Sequence, residues 1–408
     1  MIEKLIASCP KELDLTNDTH AQLIYDTVTS ILQEEYPISE IEAIESRLIG
    51  QNNPEHIFVL QALKLAKSKI LVGQITEPLM ISVVFAVYKE HNRIRKNSEH
   101  PHGEDFLLKK VKQLEWLFKD QPQVQWELLI VDDGCPEKSG EIAQGIIEAN
   151  QLNKKARVLY LDEAIKKSYP PAASIASTNE SQKGGSIVYG MWDAVQRSTN
   201  SNQIVIYTDA DLSTHLGQVM LLINPLLKKG NLVAIGSRRE PTSVVIKKGS
   251  RNDRGKLFIY LWKRLIPNLG AIIDTQCGFK AFRAEIVPDI IDNMIEKKFA
   301  FDIELLLRTA LINQDAIIKV PIAWIDSEAA STTTDLQPYL PMLKSIARMY
   351  RKYFPREAGA EEFAEFIEAM DDQAFAVLLD NIPDNITRRE PLEFTEYDQV
   401  RVSELKTK

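Results

Sequence analysis

From Thr19 to Leu71, apolar residues return every third or fourth position: Leu23, Ile24, Val28, Ile31 and Leu32 form one run, and Leu60, Leu63 and Ala66 another after Asn53-Pro54. This spacing puts them on one face of a helix and predicts a helical N-terminal extension over residues 1–75. After the break at Gly73–Pro78, Ile81-Ser-Val-Val-Phe-Ala-Val87 is almost continuously apolar, as in a strand covered on both faces. Strand-like and helix-like runs then alternate: a helix over Phe106–Phe118, strands over Glu127–Val131 and Arg157–Leu161, a helix over Ser186–Gln196, a strand over Ile204–Tyr207, a helix reaching Leu227, and a strand over Leu232–Ile235. Such alternation implies a doubly wound, Rossmann-like α/β domain with a mainly parallel sheet, placed at residues 76–335.

Beyond Gly236 the order loosens. Leu257–Leu265 and Ala300–Leu311 are helical in pattern, Ile272–Phe282 is irregular or extended, and Ile317–Ile325 is a further strand. Within the 336–408 extension, Pro338–Phe354 is a basic amphipathic helix with Leu340, Leu343, Ala347, Tyr350 and Phe354 on one face. A helix of this kind packs on its own domain or lies on anionic lipid, so peripheral membrane contact is one reading. One or two helices around Ala360–Leu379 and a disordered end complete the expectation.

Composition narrows the class. A hydrophobic share of 44% and a charged share of 26% over 408 residues are ordinary for a globular protein. No apolar run approaches the ~18–20 residues that span a bilayer. Met1-Ile-Glu-Lys lacks the basic start and apolar core of a secretion signal, and Cys9, Cys135 and Cys277 have neither metal-ligand spacing nor an even count. The expected location is the cytoplasm. The net charge of −8 is carried by the segment from Pro355 to Lys408, with six basic and fourteen acidic residues. The rest is neutral, which gives no case for nucleic acid. One local exception is Arg238–Arg254, where six basic residues meet two acids in a patch suited to anionic ligands.

Candidate chemistry gathers at strand ends. Ile204–Tyr207 runs into Asp209-Ala-Asp211, and carboxylates beside an apolar run are costly unless a cation, a hydrogen-bond network or water receives them. At the carboxyl end of a strand in an open sheet, the pair could hold a hard divalent cation whose other ligands are water and phosphate oxygens, or it could cap the helix that follows. Asp132 and Asp133 end a second strand; one could accept from a base or ribose while the other anchors its own loop, or both could belong to an Asp-Gly turn. Lys183-Gly-Gly-Ser186 precedes a helix whose backbone N–H groups could meet a phosphate, although a serine cap behind two flexible glycines is the commoner reason for such a run. Arg238, Arg251 and Arg254 offer charge-assisted bonds to phosphate, or the run is simply a solvated basic loop, to which Arg239 belongs. Asp302 starts a helix, where the dipole favours acids in any protein, yet it could also serve as a general base.

These pieces together resemble family 2 glycosyltransferases of the GT-A fold, most of all the dolichyl- or polyprenyl-phosphate glucosyl- and mannosyltransferases. Tyr88-Lys-Glu90 is similar to the family's Tyr-Asn-Glu, Val131-Asp-Asp-Gly-Cys135 to its Val-Asp-Asp-Gly-Ser, Lys183-Gly-Gly185 to its glycine-rich helix entry, and Asp209-Ala-Asp211 to its metal-binding Asp-x-Asp. The most specific stretch is Asp274-Thr-Gln-Cys-Gly-Phe-Lys-Ala-Phe282, followed by Phe301-Asp-Ile-Glu-Leu305. The likeness runs from Met80 to Ser327 and leaves both ends uncovered.

The resemblance implies an inverting, metal-dependent transfer of a hexose from a nucleotide sugar, UDP-glucose ahead of GDP-mannose, to a phosphate-bearing acceptor such as a polyprenyl phosphate. Tyr88, Glu90, Asp132 or Asp133, Lys183 and Asp209 then serve the donor, Asp209 and Asp211 hold Mg²⁺ or Mn²⁺, and Arg238 with Arg251 or Arg254 grips phosphate. Ser213 stands where related mannosyltransferases often place a glutamine ligand, which makes His215 a candidate third ligand. The membrane helices of many relatives are absent, and two other readings remain: a soluble hydroxyl acceptor such as a glycan, with Asp302 as base, or a nucleotide-sugar-binding scaffold without turnover.

Overall fold

The computed structural model describes residues 1–198, 200–246, 252–326, 339–394 and 400–406. Nine strands are present among them: β1 Leu79–Val87, β2 Val124–Asp132, β3 Ala156–Tyr160, β4 Gln203–Thr208, β5 Val233–Ser237, β6 Val244–Ile246, β7 Phe279–Arg283, β8 Ile317–Pro321 and β9 Ala323–Ile325. Seven form one sheet in the order β3-β2-β1-β4-β7-β5-β8, and β6 pairs with β9 in a small second sheet. All pairings in the large sheet are parallel except those of β7, which runs antiparallel between β4 and β5. The expected mainly parallel α/β architecture therefore holds.

Strand order reverses between β1 and β4, and ligands of open α/β sheets bind outside the carboxyl ends of strands at such a point. Because β7 is antiparallel and Thr208 pairs with Phe279, the segment leading into β7 arrives at the same edge as the end of β4. This reversed strand carries the Asp274 motif into the crevice.

Side-chain alternation along the strands divides the interior into two cores. Ile81, Val83, Phe85, Leu128, Ile130, Ile204 and Ile206 face one, whereas Val84, Leu129, Val131, Val205 and Tyr207 face the other. The helices Asp18–Gln33, Ile38–Gly50 and Ile57–Val72 share the first core. Ile57–Val72 is buried on nearly every side and packs against helix Val219–Lys228, so residues 1–75 have no separate core.

The second core is completed by the helices Gly184–Arg197, Asn252–Leu265, Phe301–Ile312 and Tyr339–Tyr353. Leu340, Leu343, Ile346, Ala347 and Tyr350 of the last helix are buried there. Its apolar face is thus covered by protein, which corrects the reading in which that face lies on lipid. The acidic extension is also ordered where it is described: Phe394, Val400, Val402 and Leu405 are buried, Tyr260 packs edge-on against Phe394, and Lys263 donates to the Pro391 carbonyl. The expected disordered end is corrected to a segment folded over helix Asn252–Leu265. Among the described residues, no helix is long and apolar enough to cross a membrane.

Candidate functional site

The ends of β1, β2, β4 and β5 meet the segment 274–278 at one rim of the sheet, where each acid foreseen at a strand end has a definite partner. Asp132 accepts from the backbone N–H of Cys135 at 2.8 Å and of Gly140 at 2.7 Å, closing the loop after β2 onto helix Ser139–Ala149. A Cβ at Gly140 would come within 2.6 Å of the Asp132 carboxylate. Asp133 accepts from Lys183 N–H at 2.8 Å and from Ser186 Oγ at 2.6 Å. Burial raises the pKa of both acids. Each carboxylate uses both oxygens on its own scaffold, and Tyr88 beside them is 46% exposed.

The entry to helix Gly184–Arg197 works differently from a phosphate cradle. Lys183 N–H is taken by Asp133, Gly185 N–H by the Lys297 carbonyl at 2.8 Å, and Ser186 N–H by Ser181 Oγ at 3.2 Å. These donors are spent within the protein, which corrects the expectation that they meet phosphate. The positive charge comes from the side chain instead: Lys183, with a positive φ of 87°, extends its ammonium onto Asp209 Oδ1.

Asp209 remains open to the groove, with 35% side-chain exposure against 31% for Lys183. Burial alone would raise its pKa, but Lys183, Arg238 and Lys280 outweigh burial and lower it. Gly278 makes room for this carboxylate, since a Cβ there would lie 2.3 Å from both Asp209 oxygens. Asp211, 26% exposed, accepts from Ser213 N–H at 3.0 Å and has its second oxygen 3.7 Å from Arg93. Two partly open carboxylates with spare oxygen lone pairs fit a hard cation whose remaining ligands are phosphate and water.

His215 does not join them. Its Nδ1 accepts from Gly217 N–H at 2.9 Å, and its Nε2 is 3.3 Å from the Tyr25 hydroxyl, edge-on to the Tyr25 and Trp116 rings. Both nitrogens are engaged, Nδ1 within its own turn and Nε2 in the seam with the N-terminal helices, and burial pushes its pKa down to about 3. Among the described residues no group of three His, Cys, Asp or Glu side chains converges on a metal position. The third ligand foreseen from sequence is thereby corrected.

Several site residues escape a reading of sequence. Arg93 bonds Glu104 at 2.9 Å and Glu90 at 3.2 Å beside Asp211, and burial lifts the Glu90 carboxyl to about 7. Lys110, fully buried, donates to the Asp211 carbonyl at 2.7 Å, with burial pushing its ammonium down to about 8. Lys280 donates to Tyr207 Oη at 2.8 Å, the Cys277 carbonyl at 2.6 Å and Asp302 Oδ1 at 2.9 Å. Burial drives Asp302 up and Lys280 down, so both are pushed toward neutrality. A lysine in an alternating apolar strand was the available signal for Lys280; Lys110 has none, because its partner Asp211 lies far away in sequence, and the acids near Arg93 do not reveal that it sits beside Asp211.

Arg238 is held rather than free. Its Nε and Nη2 make a two-pronged contact to Asp274 at 2.9 and 2.6 Å, its N–H adds a third bond at 2.7 Å, and its guanidinium lies 5.3 Å from the Trp324 ring centre. Arg238 outweighs burial and holds the Asp274 carboxyl below its ordinary range. Arg254 is exposed in the first turn of helix Asn252–Leu265, and Arg251 lies outside the described residues. Glu304 is structural: it receives Ile295 N–H, Glu296 N–H and the Tyr353 hydroxyl.

No family model matches the chain. It is 26% identical over 280 residues to the dolichyl-phosphate beta-glucosyltransferase of Homo sapiens, covering 67% of this chain and 75% of that protein. It is also 26% identical over 262 residues to the Saccharomyces cerevisiae enzyme of the same description, covering 61% and 67%. A Trichomonas vaginalis dolichyl-phosphate beta-glucosyltransferase is 23% identical over 296 residues, covering 70% and 77%. Among solved structures it is similar to glucosyl-3-phosphoglycerate synthase from Mycobacterium tuberculosis in complex with Mn²⁺, uridine diphosphate and glucosyl-3-phosphoglycerate (18% identity, TM-score 0.45, 72% of this chain and 86% of that one). Mannosyl-3-phosphoglycerate synthase from Rubrobacter xylanophilus is a further neighbour (17%, 0.45, 72% and 81%). The homologues are glycosyltransferases, as the motif resemblance implied.

Proposed function

We propose that this chain transfers a hexose from a nucleotide sugar, UDP-glucose in first place, to a phosphate-bearing acceptor of the polyprenyl-phosphate class, with Mg²⁺ or Mn²⁺ as cofactor. The observation that carries the reading is the half-open Asp209 carboxylate at the strand-order reversal, set between the Lys183 ammonium and the space left by Gly278. The dolichyl-phosphate glucosyltransferase activity of the homologues supports the acceptor class. Asp209 and Asp211 would hold the cation, which neutralises charge on the departing nucleoside diphosphate.

The chain's own residues supply the rest. Lys183 adds positive charge on the side of Asp209, while Arg238 fixes Asp274 and with it the segment that seats Gly278 against Asp209. Asp302 has one oxygen tied to Lys280. A phosphate acceptor arrives already deprotonated near neutral pH, so the attack needs no base, and Arg254 and Arg251 are the candidates to receive its charge. If the acceptor is a hydroxyl, Asp302 is the base; burial, which raises its pKa, is the observation that favours this second reading.

The test is release of nucleoside diphosphate from UDP-glucose and GDP-mannose with Mg²⁺ or Mn²⁺, with and without a short polyprenyl phosphate. Acceptor-stimulated release from UDP-glucose is expected. Donor binding with no release under any combination would sink the transferase reading in favour of a scaffold.

A further inference from the structure

Away from the groove, a cavity of about 640 Å³ lies between the segment 170–180 and the loop 293–298, with Arg348 of helix Tyr339–Tyr353 at its rim. Lys297 and Lys298 line it beside Glu180 and Glu296, so these five charged residues leave a formal excess of one positive charge. The acids are already used. Glu180 accepts from Ala176 N–H at 2.9 Å, and Glu296 accepts from Lys298 N–H at 2.5 Å with its other oxygen 3.9 Å from Arg348.

Lys297 is different: it is only 8% exposed, and its side chain makes no hydrogen bond or ion pair among the described residues. Burial pushes its ammonium down to about 8 against the pull of Glu304 and Glu296, so a further anion beside it would help to hold the charge. A cavity of this size is in the range of small-ligand sites. Its wall also reaches the catalytic rim, since the Lys297 carbonyl receives Gly185 N–H, and the carbonyls of Lys297 and Lys298 lie within 2.7 Å of where a Gly184 Cβ would sit.

We propose that this cavity is a second anion site that takes a phosphate group through Lys297, Lys298 and Arg348, and that its occupancy steadies the loop backing the helix that carries Lys183. Arginine and two ammonium groups suit the charge and acceptor geometry of phosphate. The phosphate can belong to a soluble ester or to the headgroup of an anionic lipid. The inference does not depend on the transfer reaction, because it rests on a cavity outside the Asp209 groove.

The full chain is titrated with inorganic phosphate against chloride of equal ionic strength, and sedimented with phosphatidylcholine vesicles with and without phosphatidic acid, all without sugar donor. Lys297→Met keeps most of the volume, and Arg348→Gln alters only the rim. A soluble source predicts a phosphate-dependent rise in Tm that each variant weakens by about tenfold in affinity, ~1.4 kcal/mol, with no vesicle binding. A lipid source predicts binding to vesicles containing phosphatidic acid, lost in both variants, with no response to phosphate. No binding of either probe, or variants that bind like the native chain, overturns the proposal; the latter result would place the phosphate in the donor groove.

Discussion

Lys280 Nζ lies 2.9 Å from Asp302 Oδ1, with the lysine closed to solvent and the aspartate nearly so. The same ammonium holds Tyr207 and the Cys277 carbonyl, so one side chain ties β7 to the end of β4 and to the start of helix Phe301–Ile312. Removing one partner of a buried pair leaves the other polar group without its bond in a place closed to water. Lys280→Met is therefore expected to destabilise the fold by about 3–5 kcal/mol, and Lys280→Met with Asp302→Leu to recover part of the loss. Chemical denaturation decides it: a single variant as stable as the native chain would refute the energetic role of the pair.

Gly278→Ala places a methyl group 2.3 Å from both Asp209 oxygens. The carboxylate has to move, whereas the core behind it does not. Turnover is expected to fall by about 10²-fold, the scale of a lost electrostatic contact in the transition state, with circular dichroism unchanged. Asp211→Asn should have the same outcome through weakened metal affinity, because the amide oxygen can still accept Ser213 N–H. Metal titration followed by donor binding checks this second variant, and undiminished metal-dependent binding would remove Asp211 from the cation site.

His215 is held neutral by burial, with its pKa lowered to about 3, below that of the unfolded chain. Between that value and about 6.5 the unfolded chain binds a proton that the folded chain does not, so stability falls as pH drops through this window. The slope from this one residue approaches ~1.4 kcal/mol per pH unit. Urea midpoints measured from pH 7 to pH 4.5 should show it, and His215→Gln should flatten it. An unchanged slope in the variant would assign the acid sensitivity to other groups.

Acceptor chemistry separates Asp302 from the basic loop. With a phosphate acceptor, Asp302→Asn retains an oxygen for Lys280 and spares most of the rate, whereas Arg254→Ala and Arg251→Ala each lose about 1.5–3 kcal/mol of charge-assisted contact. With a hydroxyl acceptor the ranking reverses, and loss of the base costs about 10²–10⁴-fold. Turnover of the three variants with an identified donor and acceptor makes the choice.

Removing residues 355–408 uncovers helix Asn252–Leu265, where Lys256 donates to the Thr387 carbonyl and Lys263 to that of Pro391. No chemistry-bearing motif lies in the deleted stretch, yet the truncated chain is expected to lose Tm and solubility, because Tyr260 would lose its packing partner Phe394. A truncated chain melting at the native temperature would show that the segment contributes nothing to the core.

Pattern alone determined the alternation of strands and helices, the mainly parallel sheet and the carboxylates at its strand ends, since burial on two faces writes continuous apolar runs into the strands and leaves charge where they stop. Resemblance to known glycosyltransferases located the Asp274 motif, though not that β7 runs backwards, because strand direction depends on pairing with β4 and β5. Tertiary contacts alone decided what each polar group does. Gly185 N–H meets a carbonyl from Lys297, Arg238 meets Asp274, and His215 turns to Tyr25, in each case across a long separation in sequence. The ends of the chain show the same division: helical periodicity revealed their amphipathic faces, but which surface covered those faces was settled only when the cores on either side of the sheet closed. A side chain's type fixes what it can bond or bury, whereas the partner that satisfies it is chosen by the whole fold.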